Sequence, residues 1–366
     1  MTSRHALSLA LLSALLVSDP ATGAAPEETL WRNALELRVG GKGWADTEGP
    51  FDRFPARAST TVRPAVWDLS RHSAGLHIGF ISDAPSISVR WALTSNRVAM
   101  NHMPATGVSG VDLYVRRDGR WHFLAIARPG EKGTANEQRL VQGLESREAE
   151  YRLYLPLYNG VERVEVGVPA GSSVRPSDEP NPPPSRSSST DVDHLGGAAP
   201  RGPGWPTRRS GRKLGLPVVN LGFSGNGKGP EIARLMAELD PAAFVLDCLP
   251  NTTTEQVGAR LPGFIEVLRG RHPLTPIVLV ENVVYTDAAF VATRGRKVQG
   301  ANELLARIHR ERVDKGDRRI VLVPARDLIG SDGEGTVDGT HPTDLGFVRM
   351  ADAIEPFLRQ ALSDLP

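Results

Sequence analysis

An aspartate and a histidine three positions apart near the C-terminus have the residue types that proton transfer requires. Asp338 and His341 stand in the run DGTHP, just before a segment with helical spacing. A histidine can act as a general base when a hydrogen-bonded carboxylate fixes its tautomer and stabilises its cation. The same spacing also occurs in helix caps and surface hydrogen bonds, so the pair by itself leaves both interpretations open.

A glycine-rich run, NLGFSGNG at residues 220–227, follows a short apolar segment. Its glycines let the backbone approach a ligand and present N–H groups to it, as an oxyanion hole requires. A phosphate-binding loop is the rival interpretation, but Lys228 is followed by Gly229 and not by the Ser or Thr of that motif. A third interpretation is a simple turn between a strand and a helix, with no ligand.

Asn251 ends the run DCLPN, which follows the apolar triplet 244–246. Its carboxamide could donate a hydrogen bond to an oxyanion. The alternative is a helix N-cap or a turn residue, both common for asparagine.

The elements around these three loops alternate between strand and helix patterns. Short apolar runs predict strands, the apolar face of residues 230–239 predicts a helix, and three later segments are predicted helices as well. This alternation predicts a parallel sheet with helices on both faces, and such a sheet binds ligands at the carboxyl ends of its strands, where all three loops lie. The predicted strands are 217–221, 244–246, 277–280 and 320–323, and the predicted helices are 230–239, 254–269, 301–313 and 344–362.

Residues 26–170 have a different pattern. Alternating runs at 86–91, 111–115 and 163–168 are separated by turn residues and predict an all-β sandwich or jelly roll. Trp91 falls on the apolar side of one such run and is predicted to be a core residue.

Residues 1–25 resemble a secretory signal peptide, with Arg4 before an apolar run and small residues around Ala24. We therefore expect a secreted or periplasmic protein with no membrane segment after cleavage. The net charge of +1 over 366 residues does not suggest a nucleic-acid partner. Cys248 is the single cysteine, so no internal disulfide can form. Neither a cofactor nor a metal is expected, since His102, His194 and His341 make no plausible zinc set.

Taken together, residues 214–366 resemble the SGNH (GDSL-like) hydrolase superfamily. Residues 110–114 read GVDLY and resemble the G-x-D-L-Y motif of its secreted subfamily, in which a β-sandwich precedes the hydrolase domain. The resemblance implies a flavodoxin-like α/β hydrolase domain, with His341 as base and Asp338 as its orienting partner. It also implies that Gly225 and Asn251 form the oxyanion hole.

The family carries its nucleophilic serine in a first conserved segment, here called the first block, and no part of this sequence matches that segment. Residues 172–211 are rich in Pro, Ser, Arg and Gly and stand where the family has a strand such as IVFYG followed by TSIT and GCASRPGM. Neighbouring reading frames of GC-rich codons can encode these fragments in order, which would place the serine codon near Val192 and Asp193. A frameshift, a pseudogene and a true linker all stay open. Ser224 is the fallback nucleophile, although its surroundings lack the last glycine of G-x-S-x-G.

The sequence therefore predicts four parts: a signal peptide (1–25), a β-sandwich (26–170), a Pro/Ser/Arg-rich segment (171–213) and a hydrolase domain (214–366). The predicted function is a serine esterase that hydrolyses small acyl esters, acetyl in particular, on carbohydrates through Ser-His-Asp chemistry. The expected partner is a small-molecule or polysaccharide ester, and whether the chain as written is active stays open. The alternative is an inert secreted glycan-binding protein, in which tryptophans such as Trp44, Trp91 and Trp121 hold the sugar.

Overall fold

The computed structural model describes residues 28–131, 133–178, 206–227, 229–250 and 252–363. Two antiparallel sheets and one parallel sheet with helices form a mixed α/β protein. The predicted signal peptide lies outside these residues, as does most of the Pro/Ser/Arg-rich segment. None of the helices in the described ranges is long and apolar enough to cross a lipid bilayer.

Ten strands form the two antiparallel sheets of the N-terminal half. One sheet has the order β1-β9-β4-β7, and the other has the order β10-β3-β8-β5-β6 with β2 also paired to β3. The strands are β1 (Thr29–Asn33), β2 (Arg38–Gly40), β3 (His77–Ser82), β4 (Ser86–Leu93), β5 (Val111–Arg117), β6 (Arg120–Ala127), β7 (Ala135–Gln142), β8 (Ala149–Tyr154), β9 (Val161–Pro169) and β10 (Val174–Pro176).

The two sheets share one core. Burial alternates strictly along β4, where every second side chain is buried. Ile87 and Trp91 of that strand belong to the same apolar cluster as Phe80 and Leu153 of the other sheet. Trp91 is only 2% exposed, which confirms its prediction as a core residue and removes it from the candidate sugar-binding surface. Two sheets around a common core agree in part with the predicted sandwich.

The C-terminal half alternates helices with three parallel strands in the order β11-β12-β13. Ile277 pairs with Phe244 on one side and with Ile320 on the other. Two short helices, α1 (Pro64–Ser70) and α2 (Ala105–Ser109), precede this half. Its own elements are α3 (Pro206–Leu214), α4 (Pro230–Met236), β11 (Phe244–Leu246), α5 (Thr254–Arg271), β12 (Ile277–Val280), α6 (Ala292–Asp314), β13 (Ile320–Val323) and α7 (Asp344–Ser363).

The predicted strand at 217–221 is wrong. This segment has no strand structure, although Val219 and Leu221 are buried in the core beside Phe244. A strand is defined by its ladder partner, and among the described residues β11 pairs only with β12. The parallel sheet is consequently smaller than the predicted flavodoxin-like sheet.

Helix α6 begins at Ala292, earlier than the predicted start at 301. Residues 292–300 are mostly polar and bury only Val298, so they carry no apolar period that could predict a helix. The predicted strands at 244–246, 277–280 and 320–323 are confirmed, and helix α5 begins at the predicted Thr254 behind a capping box formed by Thr253 and Gln256.

Residues from the N-terminal half also complete the core of the parallel sheet. Phe54, Ala58 and Val66 are fully buried in the cluster that contains Phe223 and Phe244. Phe54 and Phe223 meet with ring centroids 4.7 Å apart. The two halves are therefore packed together through apolar side chains and not only joined by the chain.

Candidate active site

Asp338 and His341 form a hydrogen-bonded pair in the loop that leads into α7. Asp338 Oδ2 lies 2.7 Å from His341 Nδ1. The other carboxylate oxygen accepts hydrogen bonds from the backbone N–H groups of His341 (2.9 Å) and Thr340 (3.1 Å). Both side chains are about half exposed. A carboxylate on Nδ1 leaves the opposite nitrogen, Nε2, to act as a base or as an acid.

The carboxylate of Asp338 is held in its ionised form. Partial burial raises the pKa of Asp338, but hydrogen bonds from the backbone and ring of His341 and from the backbone of Thr340 outweigh burial and lower the pKa to about 2. Asp338 therefore stays negative at neutral pH, and it can stabilise an imidazolium at His341.

The loop around this pair is fixed by its own backbone and by a neighbouring loop. Gly339 has a φ of +86°, which lets the chain reverse so that the two following N–H groups face Asp338. Val337 N–H donates to the His341 carbonyl (2.9 Å), and Thr286 N–H donates to the Gly339 carbonyl (3.2 Å). Thr286 follows β12 and the pair follows β13, so the loops after two adjacent parallel strands meet here.

Arg294 of α6 ties the same loop to its surroundings. Its Nη2 donates to Thr340 Oγ1 (2.6 Å) and its Nε donates to Asp287 Oδ1 (2.6 Å). Its guanidinium also stacks on the ring of Tyr285. Because Thr340 lies next to His341, Arg294 helps to hold the backbone that carries the imidazole.

His102, from the loop between β4 and α2, lies against the imidazole of His341. The two ring centroids are 4.8 Å apart and the ring planes are 25° from parallel. The candidate base therefore contacts a side chain from the N-terminal half of the protein.

The glycine-rich run forms a tight turn ahead of α4. Asn226 N–H donates to the Phe223 carbonyl (2.6 Å), and Gly225 has a φ of +70°. Ser224 and Gly225 are both exposed at this turn. The buried Asn220 accepts a hydrogen bond from Gly222 N–H (2.9 Å), which fixes the entry to the turn.

Two arginines of the N-terminal half donate hydrogen bonds to backbone carbonyls of this turn. Arg53 is 2% exposed, and its Nη1 donates to the Gly222 carbonyl (2.6 Å). Its other nitrogens donate to the carbonyls of Leu69 and His72, and its guanidinium lies over the ring of Phe223. Arg63 donates to the Asn226 carbonyl (2.9 Å).

The structure describes some predicted site residues and not others. Asn251, Val192 and Asp193 lie outside the described residues. Ser224 is described, and its hydrogen bonds do not include one to His341. Over the described ranges, no group of three or more His, Cys, Asp or Glu side chains could hold a metal ion.

Three contributors to the site were not predicted from the sequence: His102, which was considered only as a zinc ligand, Arg53 and Arg294. Each acts across a large separation in the chain, and no local spacing predicts such contacts. The sequence feature that came closest to indicating a role for His102 was its position eight residues before the GVDLY motif at 110–114.

Two family models match the chain in succession. Residues 29–174 match the GxDLY N-terminus of SGNH hydrolase-type esterases, and residues 191–359 match the GDSL-like lipase/acylhydrolase family. No protein with a curated description matches the sequence.

One solved structure gives the same family, and two more distant ones share its fold. A Bacteroides ovatus protein described as a GDSL-like lipase is 31% identical, over 92% of this chain and 98% of that one, with a TM-score of 0.85. The salicylyl-acyltransferase of a tetracycline biosynthetic pathway is 19% identical (94% and 99% covered, TM-score 0.71), and a family two carbohydrate esterase from Cellvibrio japonicus is 12% identical (92% and 99% covered, TM-score 0.57). These two share the fold. The matched family models and the Bacteroides structure show that the chain belongs to the GDSL-like lipase/acylhydrolase family of hydrolases, with a GxDLY N-terminus.

Proposed function

We propose that this chain is a secreted esterase that hydrolyses small acyl esters, acetyl esters of carbohydrates in particular. The observation that supports it most is the Asp338–His341 pair, whose 2.7 Å hydrogen bond at Nδ1 leaves Nε2 for proton transfer. In this proposal His341 is the general base and Asp338 orients it and stabilises its cation.

The reaction follows from those roles. A serine Oγ attacks the ester carbonyl carbon while its proton moves to Nε2 of His341. The resulting oxyanion accepts hydrogen bonds from the N–H of Gly225 and the carboxamide of Asn251. The bond to the alcohol oxygen then breaks, and His341 returns the proton to that oxygen. Water repeats the sequence on the acyl-enzyme and releases the acid.

The nucleophile in this proposal belongs to the family's first block, near Val192 and Asp193. In the family that block also supplies a central strand, so the proposal includes a flavodoxin-like sheet in the hydrolase domain. Ser224 is the second choice, because it is exposed on the candidate oxyanion turn and makes no hydrogen bond to His341.

The substrate class rests on the structural neighbours. They include family two carbohydrate esterases, and one from Clostridium thermocellum was solved in complex with cellohexaose (13% identity, TM-score 0.58, covering 80% of this chain and 94% of that one). The Asp338–His341 pair is about half exposed. An exposed pair can reach an ester on a bulky polysaccharide, whereas a deeply enclosed pair would admit only small molecules.

An inert glycan-binding protein is the second candidate, and the missing first block favours it. Of the three tryptophans considered for sugar contact, Trp44 and Trp121 remain partly exposed. Trp44 is held by a hydrogen bond to Glu238 (2.9 Å), and Trp121 stacks with Arg152.

Turnover of p-nitrophenyl acetate tests the proposal. The chain as written is compared with a version in which residues 186–210 carry the family's first block, and each is also made as His341→Ala and Ser224→Ala. We expect activity in the restored version that falls at least about a thousandfold on His341→Ala and is kept on Ser224→Ala. Activity in the chain as written that is lost on Ser224→Ala would reassign the nucleophile. Binding of acetylated xylan without turnover in any version would favour the second candidate.

Export is tested separately. N-terminal sequencing of the protein from a bacterial periplasm or culture medium should show a mature chain that begins near residue 25 or 26. An intact Met1 in the exported fraction would contradict the proposed signal peptide.

A further inference from the structure

His102 stands at the tip of a tight turn that points at the candidate base. Met100 N–H donates to the Met103 carbonyl (2.9 Å) and Met103 N–H donates to the Met100 carbonyl (3.2 Å). Asn101 and His102 are therefore the two residues at the tip. A turn closed by two backbone hydrogen bonds presents its tip side chains in a restricted set of directions.

The base of this turn is anchored in the N-terminal half. Met103 is 1% exposed and packs in a small apolar cluster with Val108 and Leu157. The buried Asn159 accepts from Ser95 N–H (3.2 Å) and donates to the Ser95 carbonyl (2.9 Å), which fixes the start of the same loop. Because the residue after His102 is buried, the turn cannot rotate without opening that cluster.

The ring of His102 restricts the orientation of the His341 imidazole in a way that the carboxylate of Asp338 alone does not. A single hydrogen bond at Nδ1 sets the direction of one ring atom, but it leaves the imidazole of His341 free to rock about that bond. A second flat ring against its face, with centroids 4.8 Å apart, removes that freedom. Catalytic groups must be held within narrow limits of position and angle, so such support has direct value.

We propose that His102 is a positioning residue that fixes the ring plane of His341 and so aims its Nε2 at the substrate. The effect on catalysis rests on the proposed esterase function, whereas the stacking of the two imidazole rings does not depend on it. It also makes the N-terminal half a contributor to the site, since the aiming side chain comes from the loop between β4 and α2.

Nuclear magnetic resonance of the full-length chain with labelled histidine tests the contact directly. His102→Ala removes the stacked ring, His102→Phe keeps a flat ring, and Asn101→Ala changes the other tip residue as a matched control. We expect His102→Ala to displace the ring proton resonances of His341, because the ring current of its neighbour is lost. Asn101→Ala should leave them in place, and His102→Phe should keep the restricted ring. His341 resonances that coincide in His102→Ala and Asn101→Ala would overturn the proposal.

Turnover provides the second readout, in whichever version of the chain hydrolyses p-nitrophenyl acetate. We expect His102→Ala to lower kcat about tenfold, equivalent to about 1.4 kcal/mol, with KM nearly unchanged, and His102→Phe to recover most of it. Unchanged kcat in His102→Ala, despite displaced resonances, would reject the positioning role. If no version has turnover, the esterase proposal fails while the resonances still decide whether the rings are stacked.

Discussion

Arg53 Nη1 donates a 2.6 Å hydrogen bond to the carbonyl oxygen of Gly222, in a place where both residues are buried. The same guanidinium serves the carbonyls of Leu69 and His72. One side chain thus joins the N-terminal half to the turn that carries Gly225. A planar group with five donors is suited to this task because it can satisfy several carbonyls at once.

Arg53→Met should therefore lower the free energy of unfolding by about 3 kcal/mol, since it leaves several buried carbonyls without a donor. Urea denaturation followed by circular dichroism measures this loss. Arg57→Met is the matched control: Arg57 is half exposed and pairs with Asp46 and Glu238, so we expect a change of about 1 kcal/mol or less. Equal losses in the two variants would show that Arg53 does not have the special role assigned to it.

Asp338→Asn should keep the shape of the loop and remove the charge that stabilises an imidazolium. In a version of the chain with turnover we expect kcat to fall by roughly three to four orders of magnitude. Thr286→Ala is a suitable control, because Thr286 contacts the same loop through its backbone N–H. A loss of less than tenfold in Asp338→Asn would argue against a catalytic role for this carboxylate.

The pH dependence of that charge has a defined direction. The pKa of Asp338 is lowered from an ordinary 3.8 to about 2, so its contribution to stability is complete above about pH 4 and is lost as the pH falls toward 2. A carbon-detected titration of the carboxylate should find its midpoint near pH 2. Any loss of turnover between pH 8 and 5 would then have to come from a group other than Asp338, and a midpoint near 4 would contradict this assignment.

His72 should make the protein sensitive to mild acid. Burial, aided by the nearby charge of Arg53, lowers the pKa of His72 from 6.5 to about 4. The unfolded chain binds this proton more readily, so stability is complete above about pH 6.5 and falls by up to about 3 kcal/mol as the pH approaches 4. His72→Gln should flatten the urea stability profile over that interval, whereas His122→Gln, at an exposed position of β6, should not.

Phe54 links the predicted hydrolase domain to residues that precede it. Its side chain is fully buried between Trp44 and Phe223, with centroids 5.6 and 4.7 Å away. Phe54→Ala should cost about 3–5 kcal/mol, and residues 214–366 produced alone should not unfold cooperatively. A cooperative thermal transition in the isolated 214–366 segment would show that the N-terminal residues are dispensable for this core.

The sequence predicted those elements whose signal is local. Alternation around Trp91 predicted β4, and the apolar face of residues 230–239 predicted α4. The same reasoning failed at 217–221, because an apolar run forms a strand only when a partner strand lies beside it. The sequence of the run itself does not show whether such a partner is present. The Asp338–His341 contact was predictable, since the two residues are neighbours in one loop. The stacking of His102 on His341 was not, since it depends on how the two halves of the chain pack.

The position of β12 between two parallel neighbours has a consequence for the slow dynamics of the molecule. Its backbone amides face a ladder on both sides, whereas β11 and β13 each have one paired side among the described residues. In deuterated solvent the amides of residues 277–280 should thus be the last of this sheet to exchange, and those of residues 244–246 should lose their protection earlier. The sheet would then open from its two edge strands, and the central strand would separate last.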